Sequence, residues 1–270
     1  MLGGEYEVFR AEYEKPHRRG IRLNTLKCDA QTLAETLQFP LVPSPFSPLS
    51  YYAPADARMA AYPLYHAGAF YSQEPSASSA VTLLDPQPGE RVLDLCAAPG
   101  GKSTQIAALT QDRGLLWSNE VVRSRASVLA SNLERMGVKN AVVSSVYPDV
   151  LAEKLAGYFD RVLVDAPCSG EGMFRRDPAA VQEWSPAHVE TCAVRQLAIL
   201  KSAARCVRAG GVLVYSTCTF SAEENEGVVR AFLAENPGFV LEKPAVSFGR
   251  PAYGLDAVRI FPMDGGEGHF

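Results

Sequence analysis

Short apolar runs alternate with longer segments of helical periodicity from residue 91 onward. The runs with the length and composition of buried strands are Arg91–Cys96, Leu115–Asn119, Ala141–Ser145, Arg161–Asp165 and Val212–Ser216, with weaker candidates at Phe239–Glu242 and Val258–Phe261. Apolar residues recur at helical spacing from Ser103 onward and in Arg123–Met136, Pro186–Arg208 and Ala222–Glu235. Strands that alternate regularly with helices predict an α/β fold with a doubly wound sheet.

The first 85 residues follow a different pattern. Prolines at positions 40, 43, 45, 48 and 54 interrupt a stretch that cannot form a continuous helix or a central strand. We expect an extension wrapped on the main domain, because the segment carries more aromatic residues than a disordered tether usually does. Packing on the main domain is the commoner role for such residues, and stacking on nucleic-acid bases is the alternative. The aromatic residues are Phe39, Phe46, Tyr51, Tyr52, Tyr62, Tyr65, Phe70 and Tyr71.

Composition and charge set broad limits. A chain of 270 residues with 47% hydrophobic and 21% charged residues suits one large domain plus an extension. No apolar segment has the length of a signal peptide core or a membrane span, so we expect a cytoplasmic protein. A net charge of −4 disfavours indiscriminate nucleic-acid binding but allows a local basic groove. Basic clusters, for which a solvated face is the alternative, are Lys15, His17, Arg18, Arg19 and Arg22, and Arg175 with Arg176.

The segment Arg91–Thr110 reads as a strand, a tight turn at Ala97–Gly101 and a helix. In an open parallel sheet, such a first crossover places a ligand at the carboxyl end of the strand, against the helix N-terminus. A phosphate-binding P-loop is excluded because Cys96 stands where that motif needs glycine, and a dinucleotide fingerprint is excluded because the glycines are adjacent. The turn predicts a nucleotide-containing ligand other than ATP or NAD.

Polar residues follow other predicted strands. Glu120 ends the second strand, where a carboxylate can accept hydrogen bonds from both ribose hydroxyls; stabilisation of the following helix N-terminus is the alternative. Asp165 ends the fourth strand and precedes Cys168, and Cys218 follows the fifth. If those strands are neighbours, both cysteines and the carboxylate converge on one pocket near the turn. A buried hydrophobic role is the alternative for each cysteine taken alone. Six cysteines without a C-x-x-C pair disfavour a disulfide scaffold or a zinc site.

Several long motifs occur in order along the chain: CAAPGGKST, DAPCSGEGMFRRDP, EWSP and YSTCTFSAEENE, preceded by RLNTLK and GAFYSQEPSA. Together they resemble the Nol/Nop/Sun family of S-adenosylmethionine-dependent RNA 5-methylcytosine methyltransferases, and particularly its bacterial 16S ribosomal-RNA branch. The resemblance implies a class I methyltransferase domain with a Rossmann-like sheet at residues 86–270 and an N-terminal RNA-binding extension at residues 1–85. It also implies a monomer that uses S-adenosyl-L-methionine and RNA, with no metal and no membrane.

The resemblance also implies roles for individual residues. Glu120 holds the cofactor's ribose, Arg125 lies beside that ribose, and Asp165 sits between the cofactor and the target base. The methionine part of the cofactor is wrapped by Cys96, Ala97, Ala98, Pro99, Gly100, Gly101 and Lys102.

The chemistry of cytosine explains the need for cysteine. Carbon 5 is a poor nucleophile until a thiolate has added to carbon 6, and a carboxyl group at N3, here Asp165, stabilises the charge that develops. Spacing leaves open which cysteine attacks, because DNA cytosine methyltransferases use the cysteine after proline. By resemblance to the RNA family, Cys218 attacks and Cys168 assists product release. We interpret Cys28, Cys192 and Cys206 as structural.

Two departures from the family pattern affect binding. Tyr147 stands where a carboxylate commonly contacts the adenine of the cofactor. The chain ends at Phe270, inside the family's last strand and without the C-terminal region that many bacterial relatives use to grip RNA, so we expect weaker RNA binding. The predicted function is methylation of carbon 5 of a cytosine in 16S ribosomal RNA. The alternatives are the same reaction on transfer RNA and a non-catalytic RNA-binding or ribosome assembly factor.

Overall fold

The computed structural model describes residues 2–270 and divides the chain into two compact units. The central unit consists of Arg19–Ala166 and Ile199–Tyr215. The terminal unit consists of the N-terminal segment that ends at Arg18, together with Pro167–Ala198 and Ser216–Phe270. The predicted boundary between residues 85 and 86 lies inside the central unit, and the assignment of separate domains to its two sides stays a prediction.

The strands are β1 (Arg19–Leu23), β2 (Val42–Pro43), β3 (Ser50–Ala53), β4 (Phe70–Ser72), β5 (Arg91–Asp94), β6 (Leu115–Asn119), β7 (Ala141–Ser144), β8 (Phe159–Asp165), β9 (Val207–Ser216), β10 (Arg250–Ala252) and β11 (Leu255–Arg259). The α-helices are α1 (Tyr6–Glu12), α2 (Ala30–Thr36), α3 (Pro63–His66), α4 (Ser79–Leu84), α5 (Gly101–Thr110), α6 (Arg123–Met136), α7 (Pro148–Lys154), α8 (Pro178–Glu183), α9 (Pro186–Cys206) and α10 (Val228–Glu235).

The main sheet of the central unit has the order β7-β6-β5-β8-β9. β5 pairs in parallel with β6 and β8, and β6 pairs in parallel with β7. Apolar side chains of these strands and of α4, α5 and α6 form one buried cluster, which includes Leu84, Ile106, Leu116, Leu129 and Leu163. The sheet confirms the predicted α/β fold with parallel strands.

A second sheet in the central unit has the order β2-β3-β1-β4 and is antiparallel. Its aromatic residues pack inward: Phe46 and Phe70 are fully buried, and Tyr51 and Tyr62 pack on the cluster around Ile21. The amide of Asn24 donates to the carbonyl of Met136 at 2.7 Å, which fastens this segment to α6. For residues 19–85, the prediction of an extension packed on the main domain is confirmed.

The structure differs from the predicted elements near the end of the chain. Phe239–Glu242 forms no strand, so that prediction was wrong; Val240 is 83% exposed, and the segment has no buried face to favour pairing. The candidate at Val258–Phe261 is replaced by β11, which begins earlier and pairs with β10. The predicted helix Ala222–Glu235 begins as a π-helical turn at Glu223–Gly227 before α10.

The boundary between α9 and β9 also differs from the prediction. The helix predicted to reach Arg208 ends at Cys206, and β9 begins before the predicted Val212, so that Gly210 and Gly211 lie inside the strand. A side chain at Gly211 would come within 2.7 Å of the carbonyl oxygen of Asp160. The glycine is therefore explained by a close backbone approach to β8 instead of by helix termination.

Arg22 of β1 is fully buried, although the sequence grouped it with exposed basic residues. Its guanidinium donates hydrogen bonds to the carbonyl of Gly101, to Thr104 Oγ1 and to Gln73 Oε1. It also lies over the ring of Tyr71, with 5.2 Å between Cζ and the ring centroid. The side chain thus joins the antiparallel sheet to the first turn of α5.

Replacing Arg22 by alanine should lower the free energy of unfolding by about 3 kcal/mol or more, because it opens a cavity and leaves buried acceptors without their donor. Arg19→Ala is the matched control. Arg19 lies on the same strand, but its side chain is exposed and, within residues 2–270, donates only to the carbonyl of Ala57. Urea denaturation followed by circular dichroism compares the two variants. Equal losses would contradict the structural role of Arg22.

Candidate active site

Four polar residues of the central unit follow consecutive parallel strands. Asp94 ends β5, Glu120 follows β6, Tyr147 lies beyond the end of β7, and Asp165 ends β8. The carboxyl ends of parallel strands meet at one edge of a sheet, which is where ligands bind in open α/β folds. The fold therefore brings three carboxylates and a tyrosine to the predicted ligand edge.

The turn between β5 and α5 is shaped by its backbone. The N–H of Ala97 donates to the carbonyl of Asn119 at 2.8 Å, and the N–H of Gly100 donates back to the carbonyl of Ala97 at 2.8 Å. Gly100 has φ +107°, a conformation that other residues rarely adopt, and a Cβ atom there would lie 3.2 Å from Leu129 Cδ1. α5 then begins at Gly101, so its first N–H groups lie next to the turn.

Two side chains of α6 hold the outer part of the turn. Arg125 Nη2 donates to the carbonyl of Ala98 at 3.2 Å, and Asn132 Nδ2 donates to the carbonyl of Pro99 at 2.8 Å. The middle of the predicted wrap, at Ala98 and Pro99, is consequently held by side chains from outside its own sequence. Spacing along the chain gave no indication of the role of Asn132.

Asp94 is a buried carboxylate that sequence reasoning did not select. Its Oδ2 accepts a hydrogen bond from Ser103 Oγ at 2.7 Å, and Ser103 Oγ in turn accepts one from Ser118 Oγ at 2.9 Å. Within residues 2–270, its Oδ1 has no hydrogen-bond partner. Burial raises the pKa of Asp94 to about 7. An unpaired buried acceptor next to the turn fits a positively charged ligand group, such as the ammonium of a bound methionine moiety.

Glu120 and Arg125 come together, as the resemblance implied. Glu120 is buried, its Oε2 lies 3.4 Å from Arg125 Nη1, and its Oε1 accepts from the N–H of Val122 at 2.9 Å. These contacts fix the carboxylate at the end of β6. A carboxylate held there can accept hydrogen bonds from two ribose hydroxyls.

Lys102 and Asp165 form an ion pair in the central unit. Lys102 Nζ lies 2.6 Å from Asp165 Oδ2, and both side chains are largely shielded from solvent. The pair joins the N-terminal end of α5 to the end of β8.

The thiol of Cys96 has a raised pKa. Burial, followed by the nearby charge of Asp94, raises this pKa well above the ordinary value. Cys96 therefore stays a neutral thiol and is no candidate nucleophile.

Tyr147 is 67% exposed and precedes α7, whose Leu151 N–H bonds to the tyrosine carbonyl. Its phenol is thus accessible to a ligand, and its contact with adenine stays a prediction.

The terminal unit holds the two cysteines side by side. Cys168 Sγ lies 3.3 Å from Cys218 Sγ, and the neighbouring hydroxyls of Ser169 and Thr219 lie 2.9 Å apart. The predicted proximity of the two cysteines is confirmed. The hydrogen bond with Cys218, and then burial, raise the pKa of Cys168 well above its ordinary value. The placement of the cysteines with Asp165 and the turn stays a prediction.

Several buried groups of the terminal unit hold the cysteine loops together. Glu224 Oε2 accepts from the N–H of Ser169 at 3.0 Å and from Gln196 Nε2 at 2.7 Å. The N–H of Gly172 donates to the carbonyl of Cys218 at 2.9 Å, an approach so close that a Cβ atom at Gly172 would lie 3.0 Å from that oxygen. Glu224 lies within the motif YSTCTFSAEENE, but its contacts could not be predicted from the sequence.

The remaining cysteines lie elsewhere. Cys192 and Cys206 are buried in α9, and Cys28 follows β1. Among residues 2–270, no three potential ligands of the His, Cys, Asp and Glu types cluster as a metal site. In the same part of the chain, no helix has both the length and the apolar character needed to cross a membrane.

Solved structures share this fold. A methyltransferase homologue from Pyrococcus horikoshii matches with a TM-score of 0.85 and 29% identity, covering 100% of this chain and 90% of that one. The NSun6 protein of Pyrococcus horikoshii, solved with SFG, matches with a TM-score of 0.88 and 23% identity, covering 99% and 94%. The latter likeness concerns the fold alone. The fold is that of the class I S-adenosylmethionine-dependent methyltransferases.

Family models match almost the whole chain. The model for 16S rRNA methyltransferase RsmB/F matches residues 81–270, and the model for the N-terminal domain of 16S rRNA methyltransferase RsmF matches residues 1–75. The chain belongs to the RsmB/F family.

Among curated relatives, ribosomal RNA small subunit methyltransferase F of Erwinia tasmaniensis is 39% identical over 249 residues, covering 89% of this chain and 52% of the relative. The protein of the same description from Cronobacter sakazakii is 41% identical over 239 residues, covering 85% and 50%. The chain therefore spans about half the length of the curated relatives it matches.

The pKa of Asp94 leads to a prediction about pH. The folded-state value of about 7 exceeds the unfolded value of about 3.9, so the folded protein binds a proton that the unfolded chain releases. The contribution of Asp94 to stability thus falls as pH rises through this interval. The difference in free energy of unfolding, Asp94→Asn minus wild type, should therefore increase by about 2 to 3 kcal/mol as the pH rises from about 5 to about 8.

Urea denaturation across this pH range measures that difference. Glu134→Gln, a change at an exposed position on α6, is the control and should show a difference from wild type that does not vary with pH. A pH-independent difference for Asp94→Asn as well would contradict the raised pKa.

Proposed function

We propose that the chain transfers a methyl group from S-adenosylmethionine to carbon 5 of a cytosine in 16S ribosomal RNA, through a covalent adduct between Cys218 and carbon 6. The observation that supports the proposal best is the contact of 3.3 Å between the thiols of Cys168 and Cys218. A nucleophile and a group for proton transfer must lie within hydrogen-bond reach of each other for this chemistry.

The residues at the carboxyl edge of the main sheet fit the cofactor. In the proposal, the turn from Cys96 to Lys102 and the unpaired oxygen of Asp94 bind the methionine part, and Glu120 accepts from the ribose hydroxyls beside Arg125. The bound cofactor would supply the electrophilic methyl group. Tyr147, being exposed, would stack on the adenine in place of the usual carboxylate.

The division of labour between the cysteines follows the resemblance to the RNA family. Cys218 gives its proton to solvent and adds as a thiolate to carbon 6, while Asp165 in its protonated form donates a hydrogen bond to N3 and stabilises the charge that develops on the ring. Carbon 5 then takes up the methyl group. Cys168 removes the carbon 5 proton; once its own proton has passed to solvent, its thiolate is a strong base because the pKa of this thiol is raised. Loss of that proton breaks the bond between carbon 6 and Cys218, and Cys218 leaves as a thiolate.

Lys102 has a supporting role in this proposal. Its ammonium lies 2.6 Å from the carboxylate of Asp165 and fixes that side chain at the end of β8.

The target base would be unpaired or flipped from its stack, because carbon 6 is inaccessible inside a helix. The description shared by the relatives favours ribosomal RNA of the small subunit as substrate.

The proposal predicts different behaviour for the two cysteine variants. With tritiated S-adenosylmethionine and unmodified 16S ribosomal RNA, wild type should incorporate label as 5-methylcytidine, and Cys218→Ala should lose at least about a thousandfold in rate because the covalent route is closed. Cys168→Ala should accumulate a protein–RNA adduct on denaturing gels. Cys192→Ala, which removes a buried thiol of the same unit, is the control and should retain activity.

Four outcomes would count against this assignment. Full activity of Cys218→Ala would exclude it as nucleophile, and an adduct trapped by Cys218→Ala instead of Cys168→Ala would reverse the roles. Label in transfer RNA but not in ribosomal RNA would move the substrate to the other class. If wild type binds the cofactor but labels neither RNA, this chain is an RNA-binding factor or needs the part of its relatives that it does not span.

A further inference from the structure

The terminal unit contains a groove of 620 Å³ that the proposed reaction does not use. Its volume lies within the range of small-molecule binding sites, which is roughly 300 to 1,000 Å³. Aromatic rings form much of the lining: Tyr6, Phe9, Trp184, Phe220 and Phe261. We call this feature the aromatic groove.

Two of these rings are open to a ligand. Trp184 is 38% exposed and Tyr6 is 54% exposed, whereas Phe220 and Phe261 stack on each other within the unit at a centroid distance of 5.2 Å. The indole N–H of Trp184 donates to Glu171 Oε1 at 2.9 Å, which fixes the orientation of the ring. An exposed aromatic ring with a fixed orientation is a platform on which an unpaired base can stack.

Carboxylates give the aromatic groove its polarity. Glu171, Glu190 and Glu223 lie in the lining. Carboxylates accept hydrogen bonds and repel phosphates, so a nucleotide must present its base, with N–H groups, to this surface. Guanine offers N1–H and the N2 amino group side by side, which a single carboxylate can accept together. Uracil offers one N–H between two carbonyl acceptors and is disfavoured.

The lining of the aromatic groove includes a residue from each loop that carries a cysteine. Glu171 lies three residues after Cys168, and Phe220 lies two residues after Cys218. The two loops meet here, because Glu171 Oε2 accepts a hydrogen bond from the N–H of Phe220 at 2.9 Å. A groove built partly from both cysteine loops suits a nucleotide that lies near the target cytosine in the RNA.

We propose that the aromatic groove binds an unpaired guanine base of the substrate RNA, close to the target cytosine, by stacking on Trp184 and hydrogen bonding to Glu190 or Glu223. The inference rests on the proposed function for the identity of the substrate. An organic cation or a basic peptide could also bind to aromatic rings and carboxylates. The contribution of both cysteine loops to the lining favours the base.

Fluorescence of Trp184 tests the proposal directly. The chain has two tryptophans, so Trp117→Phe leaves Trp184 as the reporter, and circular dichroism verifies folding, with Trp117→Tyr as a second background. A short oligouridine that contains one guanosine should quench this fluorescence with about tenfold higher affinity than the oligouridine of the same length. Either Glu190→Gln or Glu223→Gln should reduce the preference to about threefold or less.

Glu183→Gln is the matched control, because this exposed carboxylate lies next to Trp184 in sequence but outside the lining of the aromatic groove. It should leave the preference for guanosine unchanged. Equal affinity for the two RNAs, or loss of the preference in Glu183→Gln, would overturn the proposal. Quenching by tetramethylammonium or by an arginine-rich peptide, without quenching by RNA, would overturn it in favour of a cation site.

The same titration separates this inference from the proposed reaction. Cys218→Ala in the single-tryptophan background should keep the preference for guanosine, because binding in the aromatic groove precedes the chemistry. If the preference persists while wild type methylates no RNA, the proposed function fails and the guanine site stands. If wild type methylates RNA with no preference in the titration, the guanine site fails alone.

Discussion

The central unit depends on the way the turn after β5 is held in place. Three side chains from outside the turn donate to its carbonyls: Arg22 of β1 to Gly101, and Arg125 and Asn132 of α6 to Ala98 and Pro99. The first N–H groups of α5, which have no partner within the helix, lie beside the turn that these bonds hold in place. The antiparallel sheet thereby takes part in shaping the proposed cofactor site, because Arg22 acts from the middle of that sheet.

The terminal unit keeps two thiols in contact, and the proposed reaction gives them opposite tasks. In that reaction, the nucleophile must lose its proton before it attacks, and the second thiol must be ionised before it can take the carbon 5 proton. A separation of 3.3 Å between the sulfur atoms allows one hydrogen bond between the two side chains. The π-helical turn at Glu223–Gly227 contributes Glu224, whose carboxylate holds the N–H next to Cys168. Extra residues of this kind in helices are frequent at functional sites.

Elements with strong local signals were predictable from the sequence. The helix Arg123–Met136 has the predicted bounds, because its apolar periodicity is ended by Gly137 in the left-handed conformation. Features that depend on distant contacts were not predictable. Arg22 resembled a surface arginine until its partners in α5 were known. The unpaired oxygen of Asp94 was equally hidden, because it results from burial within the folded sheet. Phe239–Glu242 has strand-like residues but no partner strand, and propensity alone does not make a strand.

The most direct test of the central claim is to map the covalent adduct on RNA that carries 5-fluorocytidine. Fluorine at carbon 5 cannot leave as a proton does, so the bond between the enzyme and carbon 6 persists after methyl transfer. Digestion of the adduct followed by mass spectrometry of the cross-linked peptide identifies the attacking residue. The cross-linked peptide should carry a methylated nucleotide attached to Cys218. Attachment to Cys168, or methylation of normal RNA with no adduct on the fluorinated RNA, would contradict it.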